Sequence, residues 1–492
     1  MSQPFILAID EGTTNVKAIA VNQTGAILQQ SSQPLAIHHP QAGWAEQDPE
    51  AIWTATEAVI QATLAALDAS QLAGIAISNQ RESVLIWERS SGRVLTPLVS
   101  WQCRRTTELC AEMAQLPQAQ QVQARTGLVI DPLFPAAKIR WLLENIDNGM
   151  ARAQRGELCA GTVDSWLVWK LTGGAQFVTD ASNASRYQLF NIHTLEWDET
   201  LLDFFQIPAS CLPKVCASSG ERGLTSGVSG LADGVPILAQ AGDSHAALYG
   251  QGGFNAGVVK ATYGTGSSLM VCADQVSQRD LGVSTTVAWD DGQTRLAMEG
   301  NITHTGAGIA FISRLLGIKS IDQLSEMAWS VDDASGVSFV PALAGLGAPY
   351  WDGQASGLIT GLTDAATPAH IARAAFESVA YQVADLFFAM QTAGEVTFNA
   401  LSVDGGASKN QELMQFQADL LQVPIIRNDI AEISALGVAY MAGRALGWWS
   451  EYRDLDAIPR EVQIIQPNPN NQRVKEGYQQ WKIAIARTCY HP

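Results

Sequence analysis

The chain has 492 residues, 47% apolar and 16% charged, and its 30 Lys and Arg against 48 Asp and Glu leave a formal net charge of −18. At about 150 residues per domain this length implies two large units or three smaller ones, and the composition excludes wholesale disorder. The acidic balance argues against a nucleic-acid surface or an anionic membrane as partner.

Seven scattered cysteines without a C-x-x-C pair supply neither a disulfide framework nor a zinc ribbon, so a reducing compartment is expected. No apolar run approaches the roughly 18 residues of a membrane span, and Met1-Ser2-Gln3-Pro4 carries no basic leader. The expectation is a soluble cytoplasmic protein.

Phe5 to Asp10 is a continuous apolar run of strand length ending in a carboxylate. Glu11-Gly12-Thr13-Thr14-Asn15 follows as a turn, and Val16 to Val21 returns as a second strand. Amides and hydroxyls at such a tip suit phosphate oxygens, and Asp10 is placed to hold a divalent cation; a plain hairpin is the competing reading. A third strand is expected at Ala26 to Ser31 and a helix from Pro49 to Leu67.

The strand Gly74 to Ser78 runs into Asn79-Gln80-Arg81-Glu82, where a fork donor beside an acceptor suits a neutral polyhydroxylated ligand or makes a surface ion pair. Trp101, ending another strand, suits either a carbon chain lying on its face or a place in the core. A helix is expected around Lys138 to Leu143. Cys159 to Lys170 reads as strand then helix with Asp164 as N-cap, and Thr179 to Ser185 as a polar loop.

At mid-chain, Gly234 to Ala239 reads as a short buried strand and Ala246 as the start of a helix, which puts Asp243 between a strand end and a helix N-terminus. The opening pattern then returns: Ala256 to Thr262 as strand, Tyr263-Gly264-Thr265-Gly266-Ser267-Ser268 as a glycine and hydroxyl turn, Leu269 to Cys272 as return strand. Two such hairpins imply a duplication with nucleotide between the halves. Gly306-Ala307-Gly308 opens a further helix, and a long amphipathic helix spans Pro368 to Gln391. The strand Ala400 to Val403 ends in Asp404-Gly405-Gly406-Ala407, where paired glycines admit a base or phosphate. Ala435 to Gly443 reads as a small-residue helix packed behind that turn.

With Asp10-Glu11-Gly12-Thr13-Thr14, Asn79-Gln80-Arg81-Glu82, Trp101, Gly242-Asp243, Gly264-Thr265-Gly266 and Asp404-Gly405-Gly406 in this order, the chain resembles the FGGY carbohydrate kinases, and within them the glycerol kinases. Pro135 to Asn145 and Gly357 to Glu377 fit two longer family patterns.

The resemblance implies an α/β, two-domain actin-like ATPase fold of the ribonuclease H-like type with an interdomain cleft, divided at 1–246 and 247–492. It implies Asp243 as the general base; Arg81, Glu82, Trp101 and Asp243 as polyol ligands; and Asp10 with Asp243 holding Mg²⁺ through water. Thr13, Thr14, Asn15, Lys17, Gly264, Thr265, Gly266, Gly306, Gly405, Gly406, Ala407 and Asn410 would bind ATP. The partner is then a small polyol or sugar, with neither nucleic acid nor membrane, and a homo-dimer or tetramer is the common form of such proteins.

Three positions depart from the glycerol kinase pattern: Leu133 stands for a Tyr, Ser244 for a Gln and Ser268 for a Phe. Each change removes a group that would touch a three-carbon substrate, and together they imply a wider pocket to which His245 or His304 would add donors. Phosphorylation of glycerol is the first expectation, a larger polyol or ketose (erythritol, a pentitol, xylulose, ribulose) the second, and an actin-like nucleotide switch the non-enzymatic alternative.

Overall fold

The computed structural model describes residues 3–275, 281–428, 430, 432–460, 462–469 and 471–490. They form two compact units, and neither is a single stretch of chain: the first comprises Met1–Gly252, Thr285–Ala297 and Glu432–Pro459, the second Gly253–Ser284, Met298–Ala431 and Arg460–Pro492.

The first unit is built on a five-stranded sheet whose order is Ile237–Gly242, Leu72–Asn79, Phe5–Glu11, Asn15–Asn22, Ile27–Pro34. The first three strands are mutually parallel, and Phe5–Glu11 pairs antiparallel with Asn15–Asn22 as the expected hairpin. Phe5 to Ile9 are almost wholly buried, as an unbroken apolar run requires when both faces of a sheet are covered. The helix Pro49–Leu64 starts where expected, with Asp48 capping the Glu50 amide and Pro49 in its first turn, and ends a little early. A second sheet of the same unit orders Glu46–Gln47, Leu98–Val99, Val84–Glu88 and Leu158–Thr162.

In the second unit the strands run Ser267–Ala273, Val258–Tyr263, Ala400–Asp404, Ile425–Asn428, Val462–Ile465. Here too a hairpin, Val258–Tyr263 with Ser267–Ala273, lies parallel to a later strand, Ala400–Asp404. The helix Pro368–Gly394 crosses the unit's core, with Ala372 to Phe387 buried on all sides.

Three local expectations are corrected. Asp164 is not an N-cap: Thr162 occupies that place without a side-chain bond to the helix amides, and the Asp164 carboxylate, inside the first turn of Val163–Leu171, accepts from the Thr162, Thr179 and Gln240 side chains. Thr179 to Ser185, expected as a polar loop, is the end of a buried strand, Val178–Asp180, followed by a one-turn helix, Ala181–Ala184. The small-residue helix, Ile433–Ala445, belongs to the first unit and packs on the helix Asp243–Gly250 and on the central sheet strands, not on the unit that carries Gly405. A Cβ at Gly437 would lie 1.8 Å from the Ala246 carbonyl oxygen, so only glycine permits that approach.

Candidate active site

The parallel register of the first sheet brings three strand ends to one level. Asp10 stands opposite Ser78, and Ser78 and Asn79 stand opposite Ala241 and Gly242, immediately before Asp243. Carboxyl ends of parallel strands are where open α/β sheets present ligand-binding groups. Ser78 Oγ donates to Asp10 Oδ1 at 2.7 Å. Burial, with the nearby Asp243 charge, raises the Asp10 carboxyl to about 6 against the opposing pull of Ser78 and Lys17. Burial pushes the neighbouring Glu11 well above the ordinary carboxylate range, against the hydrogen bond from Gln80.

Gly242 is the N-cap of Asp243–Gly250, and Asp243 is its first residue, accepting from the Ser244 amide at 2.6 Å. Its side chain is 39% exposed and lies 3.3 Å from Arg81 Nε, while Arg81 is itself only 8% exposed. Gly242 is what permits this pairing, because a Cβ there would lie 2.6 Å from the aliphatic carbons of Arg81. A guanidinium against an exposed carboxylate at the N-terminus of a helix favours the ionised acid, the form that accepts a proton.

Glu82 follows at φ 61°, a left-handed conformation costly for a non-glycine residue, and two buried basic side chains bond to it. Arg186 Nε donates to its Oε1 at 2.6 Å, and Lys138 Nζ donates to its carbonyl at 3.1 Å and to the Leu133 carbonyl at 2.7 Å. Burial pushes Lys138 down to about 7.

A chain of amides ties this turn to the first hairpin. Gln80 donates to Glu11 at 3.0 Å and to Gln47 at 2.9 Å, and Gln47 donates to the Thr13 carbonyl at 2.9 Å. Ser83 donates to Gln80, and the Trp101 amide donates to Ser83. The indole Nε1 of Trp101 reaches Thr13 Oγ1 at 2.9 Å, leaving the ring 37% exposed, so Trp101 is no core residue. Thr14 and Asn15 complete the turn. Lys17 sits opposite Asp10 in the hairpin, 3.7 Å from Glu432. Leu133 and Ser244 are partly exposed at this end of the unit, whereas His245 is fully buried and is not a ligand donor.

In the second unit the expected nucleotide residues gather around backbone. The Thr305 and Ala307 amides donate to the Thr265 carbonyl, and the Gly306 amide to that of Gly264. A Cβ at Gly266 would lie 2.4 Å from the Ile302 oxygen, one at Gly306 2.5 Å from the Gly264 oxygen, and one at Gly405, which has φ +92°, 2.4 Å from the Tyr263 oxygen. Gly406 has open space where a Cβ would point, Ala407 is partly exposed, and Asn410 caps the helix Gln411–Leu421. Ser268 is in this unit, on the return strand opposite Thr262, and His304, half-buried, contacts Thr303.

Two carboxylates and a guanidinium at strand ends of one unit, with glycine turns stripped of side chains in the other, are the parts of a phosphoryl-transfer enzyme. Residues 5–250 match the N-terminal domain of the FGGY family of carbohydrate kinases, and residues 259–446 match its C-terminal domain. The chain belongs to the FGGY family of carbohydrate kinases. It is 56% identical over the whole of both chains to the apulose kinase of Pectobacterium atrosepticum, and 43% identical to the glycerol kinase of Parabacteroides distasonis over 98% of each. Among solved structures it resembles Plasmodium falciparum glycerol kinase with ADP at a TM-score of 0.93 and 29% identity, covering 100% of this chain and 99% of that one.

As an FGGY kinase the protein is an ATP-dependent carbohydrate kinase with the family's two-domain actin-like ATPase fold of mixed α/β sheets. Among the described residues no helix is long and apolar enough to cross a membrane. The residues that sequence reasoning missed are those behind the site: Lys138, Arg186, Gln47, Asp180, Ser182 and Asn183. Lys138 alone left a trace, as a lysine between Ala136-Ala137 and Ile139 on an otherwise apolar helix face.

Proposed function

We propose that this kinase phosphorylates a hydroxyl of a four- or five-carbon ketose or polyol, with apulose as first candidate; phosphorylation of the three-carbon glycerol is the competing reading. The 56% identity over full length to an apulose kinase, against 43% to a glycerol kinase, carries this reading. Leu133, Ser244 and Ser268 support it, since each is smaller or less polar than the group a glycerol site would use there. Glycerol remains the competing reading because Arg81, Glu82, Trp101 and Asp243 all persist.

Asp243 is the general base. It takes the proton of the attacking hydroxyl as the new O–P bond forms to the γ-phosphorus; the bond from that phosphorus to the β-bridging oxygen breaks, and ADP leaves. Arg81 holds Asp243 in its ionised form and donates to the sugar hydroxyls, Glu82 accepts from them, and the exposed face of Trp101 covers the carbon chain. Thr13, Thr14, Asn15 and Lys17 bind the transferring phosphoryl group. Gly264, Thr265, Gly266, Gly306, Gly405, Gly406, Ala407 and Asn410 bind the nucleotide, for which backbone amides and bare glycine surfaces are the fitting donors.

Asp10 and Asp243 are the residues that would hold Mg²⁺ through water, and the fit is good. Mutual repulsion between two carboxylates is what a cation relieves, and the described residues contain no cluster of three protein ligands, as suits an ion that keeps waters and phosphate oxygens. The ion would supply neutralisation of charge on the phosphates. Cys103, Cys110, Cys159 and Cys211 are buried thiols, which suits a cytoplasmic enzyme.

A coupled ADP-release assay with Mg-ATP against apulose, glycerol, erythritol, ribitol, xylulose and ribulose tests the substrate, with Asp243→Asn as blank. The highest kcat/KM is expected for apulose or another four- or five-carbon compound. A preference for glycerol would refute the proposal and make Leu133, Ser244 and Ser268 neutral variations.

A further inference from the structure

Asp180 is a fully buried carboxylate with no role in the chemistry above. Asp180 Oδ1 accepts from the Ser182 hydroxyl at 3.0 Å, the Asn183 amide at 3.0 Å and Asn183 Nδ2 at 2.9 Å. Its Oδ2 accepts from the Ser182 amide at 2.9 Å and the Ser218 hydroxyl at 2.6 Å. A buried carboxylate so densely bonded fixes the direction of every hydrogen around it.

Two of those fixed groups reach outward. The Ser182 hydroxyl, its only proton spent on Asp180, accepts from the Gly242 amide at 3.1 Å, the backbone N–H of the residue before Asp243. The Asn183 amide, its nitrogen held by Asp180, forms a reciprocal pair with Asn79, each side chain donating to the other at 3.1 Å. Asn79 in turn donates to the Gln80 carbonyl at 2.8 Å, within the turn that carries Arg81 and Glu82.

We infer that Asp180 is a positioning residue that sets the candidate base and the sugar-binding turn through separate arms, Ser182 to Asp243 and Asn183 to Arg81-Glu82. The inference rests on the roles proposed above for Asp243, Arg81 and Glu82. A misplaced base slows the chemical step, whereas a misplaced sugar ligand weakens binding, so the arms differ in which kinetic constant they move.

Ser182→Ala is expected to lower kcat about tenfold with the sugar KM within about twofold; Asn183→Ala is expected to raise the sugar KM about tenfold with kcat within about threefold. The ATP KM stays put in both. Asp180→Asn loses both arms and shows both effects, and Ser182→Thr, which keeps the hydroxyl, recovers kcat. Equal effects of the two arm variants on kcat and KM, or a lowered Tm with unchanged kinetics, would overturn the inference. If Asn183→Ala or Asp180→Asn does not fold, Ser182→Ala decides alone, because an unchanged kcat there removes the arm to Asp243. Substantial activity in Asp243→Asn would instead sink the proposed base while leaving the network's geometry untouched.

Discussion

The two hairpins share a frame and invert its chemistry. In the first unit a carboxylate on the hairpin strand, Asp10, stands opposite a hydroxyl on the parallel neighbour, Ser78; in the second a hydroxyl on the hairpin strand, Thr262, stands opposite a carboxylate on the neighbour, Asp404. Around the first pair, long side chains crowd in: Gln47, Gln80, Trp101 and Lys17. At the second, glycines let backbone pack on backbone: a Cβ at Gly266, Gly306 or Gly405 would stand 2.4 to 2.5 Å from a carbonyl oxygen. The first turn thus presents side chains and the second close-packed backbone. Sugar discrimination needs the first kind of surface and contact with a common nucleotide the second.

That contrast is open to attack from either side. The largest effect is expected from Asp243→Asn, which removes the acceptor without changing shape: kcat should fall by on the order of a thousandfold in the ADP-release assay, with the ATP KM little altered. Gly405→Ala strikes the other repeat. At φ +92° with a carbonyl 2.4 Å from the new methyl, it should raise the ATP KM about tenfold while the sugar KM holds, a split that steady-state titrations of each substrate would reveal.

A subtler effect concerns Lys138. Its ammonium titrates near pH 7 in the fold and near 10.5 when unfolded, so between these values the unfolded chain binds the extra proton and stability rises with pH. Relative to Lys138→Met, the wild type should gain about 2 kcal/mol between pH 7 and 9 in urea-unfolding midpoints; a pH-independent difference would mean the lysine keeps its ordinary proton affinity in the fold and stays charged across this range. Smallest is Trp101→Phe, which keeps the ring and drops the bond to Thr13, and should raise the sugar KM a few-fold at most.

The hairpins, the strand ends at Asp10 and Asp243 and the glycine turns were legible because each is a local pattern: an apolar run, then a polar or glycine break. The Asp180 network was not, because its partners lie far along the chain at Gly242, Asn79 and Ser218, and nothing in Thr179 to Ser185 tells a buried polar hub from a solvated loop. Asp164 misled for the same reason. Its spacing suits a cap, but Thr179 and Gln240, remote in sequence, supply its donors. The helix Ile433–Ala445 was legible as a tightly packing helix from its small residues, yet its destination against Ala246 and Gly250 is a fact of topology that composition does not carry.

That destination bears on how the protein is made. The helix seated on Asp243–Gly250 lies in Glu432–Pro459, so it leaves the ribosome only after nearly all of the second unit has been synthesised. The helix Asp243–Gly250 is therefore synthesised well before the helix that packs on it, and that face stays without this neighbour until the later segment follows. The first unit is thus completed only when Glu432–Pro459 joins it, and a chain ending before Ile433 lacks the helix that packs on Asp243–Gly250.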